Sequence, residues 1–320
     1  MKHRVILTAS ILFFLCLTLF TGCKKENVNE SNDEVNEEVS DELAFEIESN
    51  LSLIDVEKLI EYTAASNLRT EGDSTVGESL IGICDLLKMK QSNARIGEDE
   101  TPGYTINFSG ITCDSRRQRE GSMIINYPSG SKFNLPGGAI QITYVNYKIT
   151  LLNTNKSFTI NGTKKITNLT GGLVKNLQPT SPPIRHMVAG NITITYNDET
   201  QRTVNLSKIR TLNSLNAGNW QVALTGNGSY NGNDSISEYG VNTKGQNYYV
   251  KILSPIVLNT CGSFCKPISG VKFHKAISSG VTTLYGLDKD GNVKNDCSSR
   301  AYKMTWVNKD GIAKELIKKY

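Results

Sequence analysis

The sequence predicts a mainly β protein: an antiparallel β-sandwich or open, barrel-like sheets, preceded by one N-terminal helix and a disordered tether. Three observations lead there. Apolar and polar residues alternate in short runs, as in Tyr104, Ile106 and Phe108 and again in Ile192, Ile194 and Tyr196; this is the two-residue period of a half-buried strand. Turn signals punctuate the runs at Pro136-Gly137-Gly138, Asn161-Gly162, Gly171-Gly172, Asn231-Gly232, Asp290-Gly291 and Asp310-Gly311. No helical periodicity alternates with the strands, which argues against a parallel α/β sheet. Abundant Asn, Thr, Ser and Gly fit the same reading.

The first element is a leader. A basic start (Lys2, Arg4) precedes an apolar run from about Val5 to Phe20, and Leu19-Phe20-Thr21-Gly22-Cys23 closes it. The run is too short to span a membrane securely, and the residues before the cysteine are small, as a cleavage site requires. Residues 1–22 are therefore expected to be a lipoprotein signal peptide and Cys23 to carry the lipid. Residues 23–42 follow as an acidic flexible tether with little to bury. Residues 24–50 hold two lysines against ten acids, net −8, whereas residues 51–320 hold 31 basic against 21 acidic residues, net +10. A basic body favours anionic glycan or lipopolysaccharide as a neighbour. The competing reading is ordinary solubility charge, which the scattered placement favours. No dense Lys/Arg cluster with interleaved aromatics occurs, so no nucleic-acid partner is expected.

Residues 43–70 are predicted to form the helix, because Leu43, Ile47, Leu51 and Ile54 recur at spacings of three and four. Ser40 or Asp41 can cap it. The β body is predicted over 80–320. Between Ala139 and Leu152 the alternation changes phase, from Ile140, Ile142 and Tyr144 to Val145, Tyr147, Ile149 and Leu151. That slip predicts a β-bulge near Tyr144. Cys113-Asp114-Ser115-Arg116 and Cys297-Ser298-Ser299-Arg300 each precede a strand, an echo that allows two similar halves at about 80–178 and 186–320.

Five cysteines remain beyond Cys16 and Cys23: Cys84, Cys113, Cys261, Cys265 and Cys297. In an oxidising envelope they are disulfide candidates, and spacing alone does not choose the pairs. Catalytic signatures are sparse. The sequence has no Gly-x-Ser-x-Gly, no His-Glu-x-x-His and no P-loop, and His186 and His274 read as structural. No catalytic residue and no cofactor is assigned. A weak calcium candidate combines Asp288, Asp290, Asn292 and Asp296, with a hairpin turn at Asp290-Gly291 as the competing explanation. The thirteen tyrosines, with Trp220 and Trp306, offer stacking platforms for carbohydrate, although aromatics in β proteins more often serve the core. Gly226 to Gly232 has a phosphate loop's glycine count but no following helix, so it reads as a strand with bulges.

Several stretches together resemble a group of uncharacterised envelope lipoproteins of Bacteroidetes-type bacteria. They are Thr105 to Phe108 with Cys113 and Arg116 to Arg119, Asn161 to Asn168, Thr225 to Tyr230, Cys265 to Gly270 and Asp288 to Cys297. The resemblance implies location and a β-rich fold rather than a mechanism. It implies Cys84–Cys113 and Cys265–Cys297 bridges, with Cys261 spare. Lys24-Lys25-Glu26 and the acids behind it are similar to surface-export signals of such lipoproteins. Asp73-Ser74-Thr75 and Asp234-Ser235-Ile236 are similar to their O-glycosylation signal, which makes Ser74 and Ser235 glycosylation candidates. The expected protein is a non-enzymatic binding or structural module, anchored to the outer membrane at Cys23 and facing the cell exterior. Its expected partners are the membrane and a glycan or other envelope proteins, with oligomeric state open. Two alternatives are a glycan-binding accessory lipoprotein in polysaccharide uptake and a hydrolase using paired carboxylates, for which Asp198, Glu199 and Glu238 are available.

Overall fold

The computed structural model describes residues 90–92, 103–111, 115–128, 131–216, 219–259, 266–276, 280–308 and 310–320, together with Val39, Leu43, Phe45 and Ile47. The chain divides into two compact units, Met1–Asp41 and Glu42–Tyr320, and the β body belongs to the second. The leader, Cys23 and the predicted tether lie outside the described residues apart from Val39, which is helical and buried where a flexible tether was expected. Of the predicted helix, Leu43, Phe45 and Ile47 are helical and the remainder lies outside the described residues.

The body is mainly antiparallel β, as predicted, and its strands form one large sheet rather than two stacked ones. The strands are β1 (Lys90–Ser92), β2 (Gly103–Ile111), β3 (Arg117–Asn126), β4 (Ala139–Leu151), β5 (Lys156–Asn168), β6 (Ile184–Tyr196), β7 (Gln201–Asn216) and β8 (Asn219–Gly226). They continue as β9 (Gly228–Tyr230), β10 (Asn233–Val241), β11 (Asn247–Asn259), β12 (Lys266–Ala276), β13 (Gly280–Leu287), β14 (Ala301–Val307) and β15 (Ala313–Lys319). From β1 to β7 each strand pairs with the next, and β7 then continues through β10 to β15. β5 pairs with β6, so the sheet runs unbroken across the predicted boundary between halves.

The order departs from a simple meander at one place. β8 and β10 both lie between β7 and β11. β8 pairs with Lys208 to Asn216 of β7, and β10 with Thr203 to Leu206. On the far side β8 meets Ile256 to Asn259 of β11, and β10 meets Asn247 to Lys251. Two short strands thus share one slot, end to end.

The pleat sends alternate residues to opposite faces. On the inner face they are buried almost completely: Ile140, Ile142, Ile166, Val188, Ile192, Val204, Leu212 and Leu224 are all 0% exposed. Phe45 joins this core, edge-on to Phe158 at 6.1 Å between ring centroids. The outer face stays half-buried or exposed. The register slip predicted near Tyr144 lies between Tyr144 and Tyr147, where Asn146 takes φ 48°.

One predicted turn is not a turn. Asn161-Gly162 sits in mid-strand in β5, with Gly162 paired to Tyr144 and Ile192. The glycine is there for space: with φ +117°, a Cβ on Gly162 would stand 2.5 Å from the Asn191 carbonyl oxygen. The same pairing of glycine with an aromatic ring recurs as Phe108–Gly121, Tyr248–Gly240 and Tyr285–Gly270. In all four the missing Cβ leaves room for the neighbouring backbone, which comes within 1.9–2.6 Å of where that atom would stand. Glycine kinks with cross-strand aromatics let a wide sheet curve without opening holes in its core.

Candidate functional site

The inner face carries charge where the pattern calls for apolar residues. On β7 the buried phase reads Arg202, Val204, Leu206, Lys208, Arg210, Leu212, with Arg202 at 1% and Arg210 at 0% exposure. Glu238 on β10 is the one buried carboxylate among the described residues, and Arg202 Nη2 forms an ion pair with it. The Arg202 guanidinium also lies 4.2 Å over the Tyr248 ring, an attraction to the negative π face. His274 stacks on the same ring at 5.3 Å and 5°, and Tyr248 Oη donates to the Thr203 carbonyl. Together these side chains tie β7, β10, β11 and β12 to one another. Lys164 on β5 is fully buried, with its ammonium 5.0 Å over Tyr144 and 5.5 Å over Phe45. Burial holds its pKa well below the ordinary lysine value; neighbouring Lys208 and Arg210 act the same way, while Glu238 opposes them. This seam is sealed from solvent, so its chemistry is that of a structural clamp.

The outer face is accessible and differently composed. One register row crosses seven strands: Thr143, Thr163, Asn191, Asn205, Tyr239, Tyr249 and Lys275, each paired with the next. Within it Asn191 Nδ2 donates to Asn205 Oδ1 at 2.8 Å, Asn205 Nδ2 donates to the Tyr239 carbonyl at 3.3 Å, and the Thr143 and Thr163 hydroxyls stand 3.5 Å apart. The row holds hydroxyls, amides, two phenols and a cation, and no carboxylate.

Between β8 and β10 the chain leaves the sheet as a hairpin, which places a third tyrosine on this face. Gly226 makes the exit possible, since a Cβ there would lie 2.0 Å from the Ser235 carbonyl oxygen. β9 then pairs back on β10 through Tyr230 and Asn233, and Asn231 and Gly232 between them have φ 49° and 74°. Two positive φ values make this a type I′ turn, whose twist suits a two-residue hairpin. Ser229 Oγ donates to Asp234 Oδ1 at 2.6 Å across its base. The Tyr230 ring stacks on Tyr239 at 4.6 Å and 20°, and lies 6.1 Å from Tyr249. Tyr230, Tyr239 and Tyr249 are all part-exposed, with one face of the Tyr239 ring against Tyr230.

The residues singled out in the sequence are scattered. Cys23, Ser74, Cys84, Cys113, Cys261 and Cys265 lie outside the described residues. No complete disulfide lies among the described residues; Cys297 is bonded to a cysteine outside them. The Cys297 carbonyl accepts from Lys266 Nζ at 3.0 Å. Ser235 is exposed, with φ 62°, at the register shift between Asp234 and Ile236. The calcium candidate is not assembled as a cluster. Asp288 Oδ1 accepts from the Asp290 and Asn292 amides, both at 2.9 Å, and Asp288 Oδ2 is 3.8 Å from Lys294 Nζ. Asp296 Oδ1 instead accepts from the Ser298 amide at 2.7 Å and from its hydroxyl. Among the described residues no group of three His, Cys, Asp or Glu side chains could hold a metal ion. Each aspartate closes its own tight turn, which holds its pKa below the usual carboxylate value: for Asp288 mainly through the Asn292 amide, for Asp296 mainly through the Ser298 hydroxyl. His186 and His274 are both buried in the sheet, His186 against Phe133. Asp198 and Glu199 form the β6–β7 turn, where Asp198 Oδ1 accepts from Thr200, while Glu238 faces the interior beside Arg202.

Sequence reasoning found the Asn231-Gly232 turn of the hairpin but passed over the tyrosine stack and the buried pair. The pair was visible as Arg and Lys in the apolar phase of β7. The stack was hidden, because the bulge at Ser235 resets the phase that would have assigned Tyr239 to the outer face. No protein-family model, no curated protein and no solved structure matches this chain.

Proposed function

We propose that this chain is a lipid-anchored module of the cell envelope, acylated at Cys23 and held off the outer membrane by residues 23–42. On this reading it binds a partner through the outer face of its sheet and performs no catalysis. It would belong with the Bacteroidetes-type lipoproteins it resembles, braced by the disulfides those imply. One observation carries the binding role: the fully buried inner face makes a rigid backing, and the outer face carries an ordered polar row ending under an exposed tyrosine hairpin. A rigid element is what holds recognition groups at fixed spacing. The test of anchoring is fractionation of cells making the wild type or Cys23→Ala. The wild type is expected in the outer membrane, with an intact mass that includes lipid, and the variant in the soluble fraction. A soluble, unlipidated wild type would refute the reading.

A further inference from the structure

The geometry points to a carbohydrate site on the outer face, taking an acidic, uronate-bearing oligosaccharide along the row from Asn191 to Lys275 and over the face of Tyr230 turned away from Tyr239. This deepens the binding role proposed above and rests on it.

Four features carry the assignment. The first is aromatic. Tyr230 is presented by a hairpin with no other evident task, and it is stacked on Tyr239 rather than buried. A pyranose offers a face of weakly positive C–H groups, and the π face of a tyrosine is negative. Sugar and ring therefore attract where an anion and ring would not. The second is polar. Asn191 and Asn205 are locked to one another and to the Tyr239 carbonyl, yet each amide keeps hydrogen-bonding capacity beyond those contacts. Asn191 is exposed, so its amide oxygen and second N–H face water. Paired donors and acceptors at fixed spacing match vicinal hydroxyls.

The third feature is length. Row partners are one strand apart, and neighbouring strands lie about 4.8 Å apart. That spacing is close to one sugar unit, so successive units of a chain laid across the strands meet equivalent positions. The fourth is charge. Lys275 follows Tyr249 in the row, and Lys251 is the next outer-face residue of β11. No carboxylate stands in the row. The cationic end selects units that carry one, while the tyrosine and asparagine end needs only hydroxyls and C–H faces.

The test is isothermal titration of the full-length protein in detergent. The probes are an oligogalacturonate and a maltooligosaccharide of equal length. The wild type is expected to bind the oligogalacturonate more tightly. Tyr230→Ala is expected to weaken that binding about tenfold or more, the equivalent of ~1.4 kcal/mol. Asn191→Ala alters an exposed side chain in a long strand, so it tests the site without endangering the fold; it is expected to weaken binding by severalfold. Lys275→Met is expected to abolish the preference for the acidic oligomer. Failure of both oligosaccharides to bind would overturn the assignment, as would equal binding of the two by the wild type. So would a folded Tyr230→Ala variant that binds like the wild type. If Cys23-dependent anchoring is intact in the same strain, such a failure removes the ligand and leaves the envelope location standing; loss of anchoring would remove the location instead.

Discussion

Replacing Glu238 by Gln should destabilise the sheet, because it removes the one buried carboxylate among the described residues. Glutamine keeps the volume and removes the charge. The Arg202 guanidinium is then left at 1% exposure without its carboxylate. The carboxylate is also the group that favours the charged form of fully buried Lys164 against the effect of its cationic neighbours. Breaking one side of a buried pair costs about 3–5 kcal/mol, because the remaining ion stays desolvated. Stacking of Arg202 on Tyr248 at 4.2 Å is present with or without the carboxylate and offsets none of that, but the glutamine amide oxygen can still accept from the guanidinium. The expected net loss is therefore at the lower end, about 3 kcal/mol, or a fall of roughly 6–12 °C in Tm for a domain of this size. Urea unfolding followed by tyrosine fluorescence and circular dichroism gives the number, provided the m value is unchanged. The double variant Glu238→Leu with Arg202→Met removes both ions of the pair but leaves Lys164, Lys208 and Arg210 buried without that carboxylate, so it should recover part of the loss rather than all of it. A Glu238→Gln variant within about 0.5 kcal/mol of the wild type, with the double variant strictly additive, would show that the pair is not coupled and would refute the clamp.

Two further outcomes follow from the geometry. Gly240→Ala would place a Cβ 1.9 Å from the Thr203 carbonyl oxygen; overpacking of this kind costs about 1–3 kcal/mol, whereas Gly232→Ala, with nothing within 4 Å, should cost less, its strain confined to the φ of 74°; thermal melts of the two variants check the order. Asp198, Asp288 and Asp296 are all held below the ordinary carboxylate pKa by hydrogen bonds. Their folded values are the lower ones, so the stability they contribute is present above the unfolded value of about 4 and is lost as pH falls through the folded values. The protection factors of the Asp290, Asn292 and Ser298 amides, referred to the intrinsic exchange rate at each pH, should fall over that acid range, and Asp288→Asn should remove the dependence at the first two only.

Much of the fold was legible because the sheet obeys its period. Strands β2, β4, β6, β13 and β14 fall on runs that alternate in the sequence, and even the slip beside Tyr144 shows as a change of phase. Asn161-Gly162 misled because a turn and a crowded strand position both demand glycine. Only the cross-strand neighbour, here the Asn191 backbone of β6, separates the two cases, and that neighbour is set by tertiary pairing. The shared slot of β8 and β10 was illegible for a related reason: local sequence fixes that a strand exists but not which neighbour it takes. The candidate site inherits that limit. Its row joins residues as distant in sequence as Thr143 and Lys275, and nothing local connects them.

The shared slot also explains why clamp and platform occur together. Two strands cannot occupy one slot unless the chain between them leaves the plane, and it leaves between Gly226 and Ser235 toward the outer face. β10 thereby begins at a bulge, with only the stretch from Glu238 to Val241 paired to β7. A pairing that short needs side-chain support from beneath. Glu238 supplies it through Arg202, and Tyr248, paired with Gly240, holds β11 in register with it. Tyr239 lies between these two supports in the sequence and points the other way. The orientation of the Tyr230–Tyr239 stack therefore depends on an ion pair on the opposite face of the same strand. Loosening that pair should disorder the tyrosines before the rest of the sheet unfolds, because β10 has so short a ladder to β7 to fall back on.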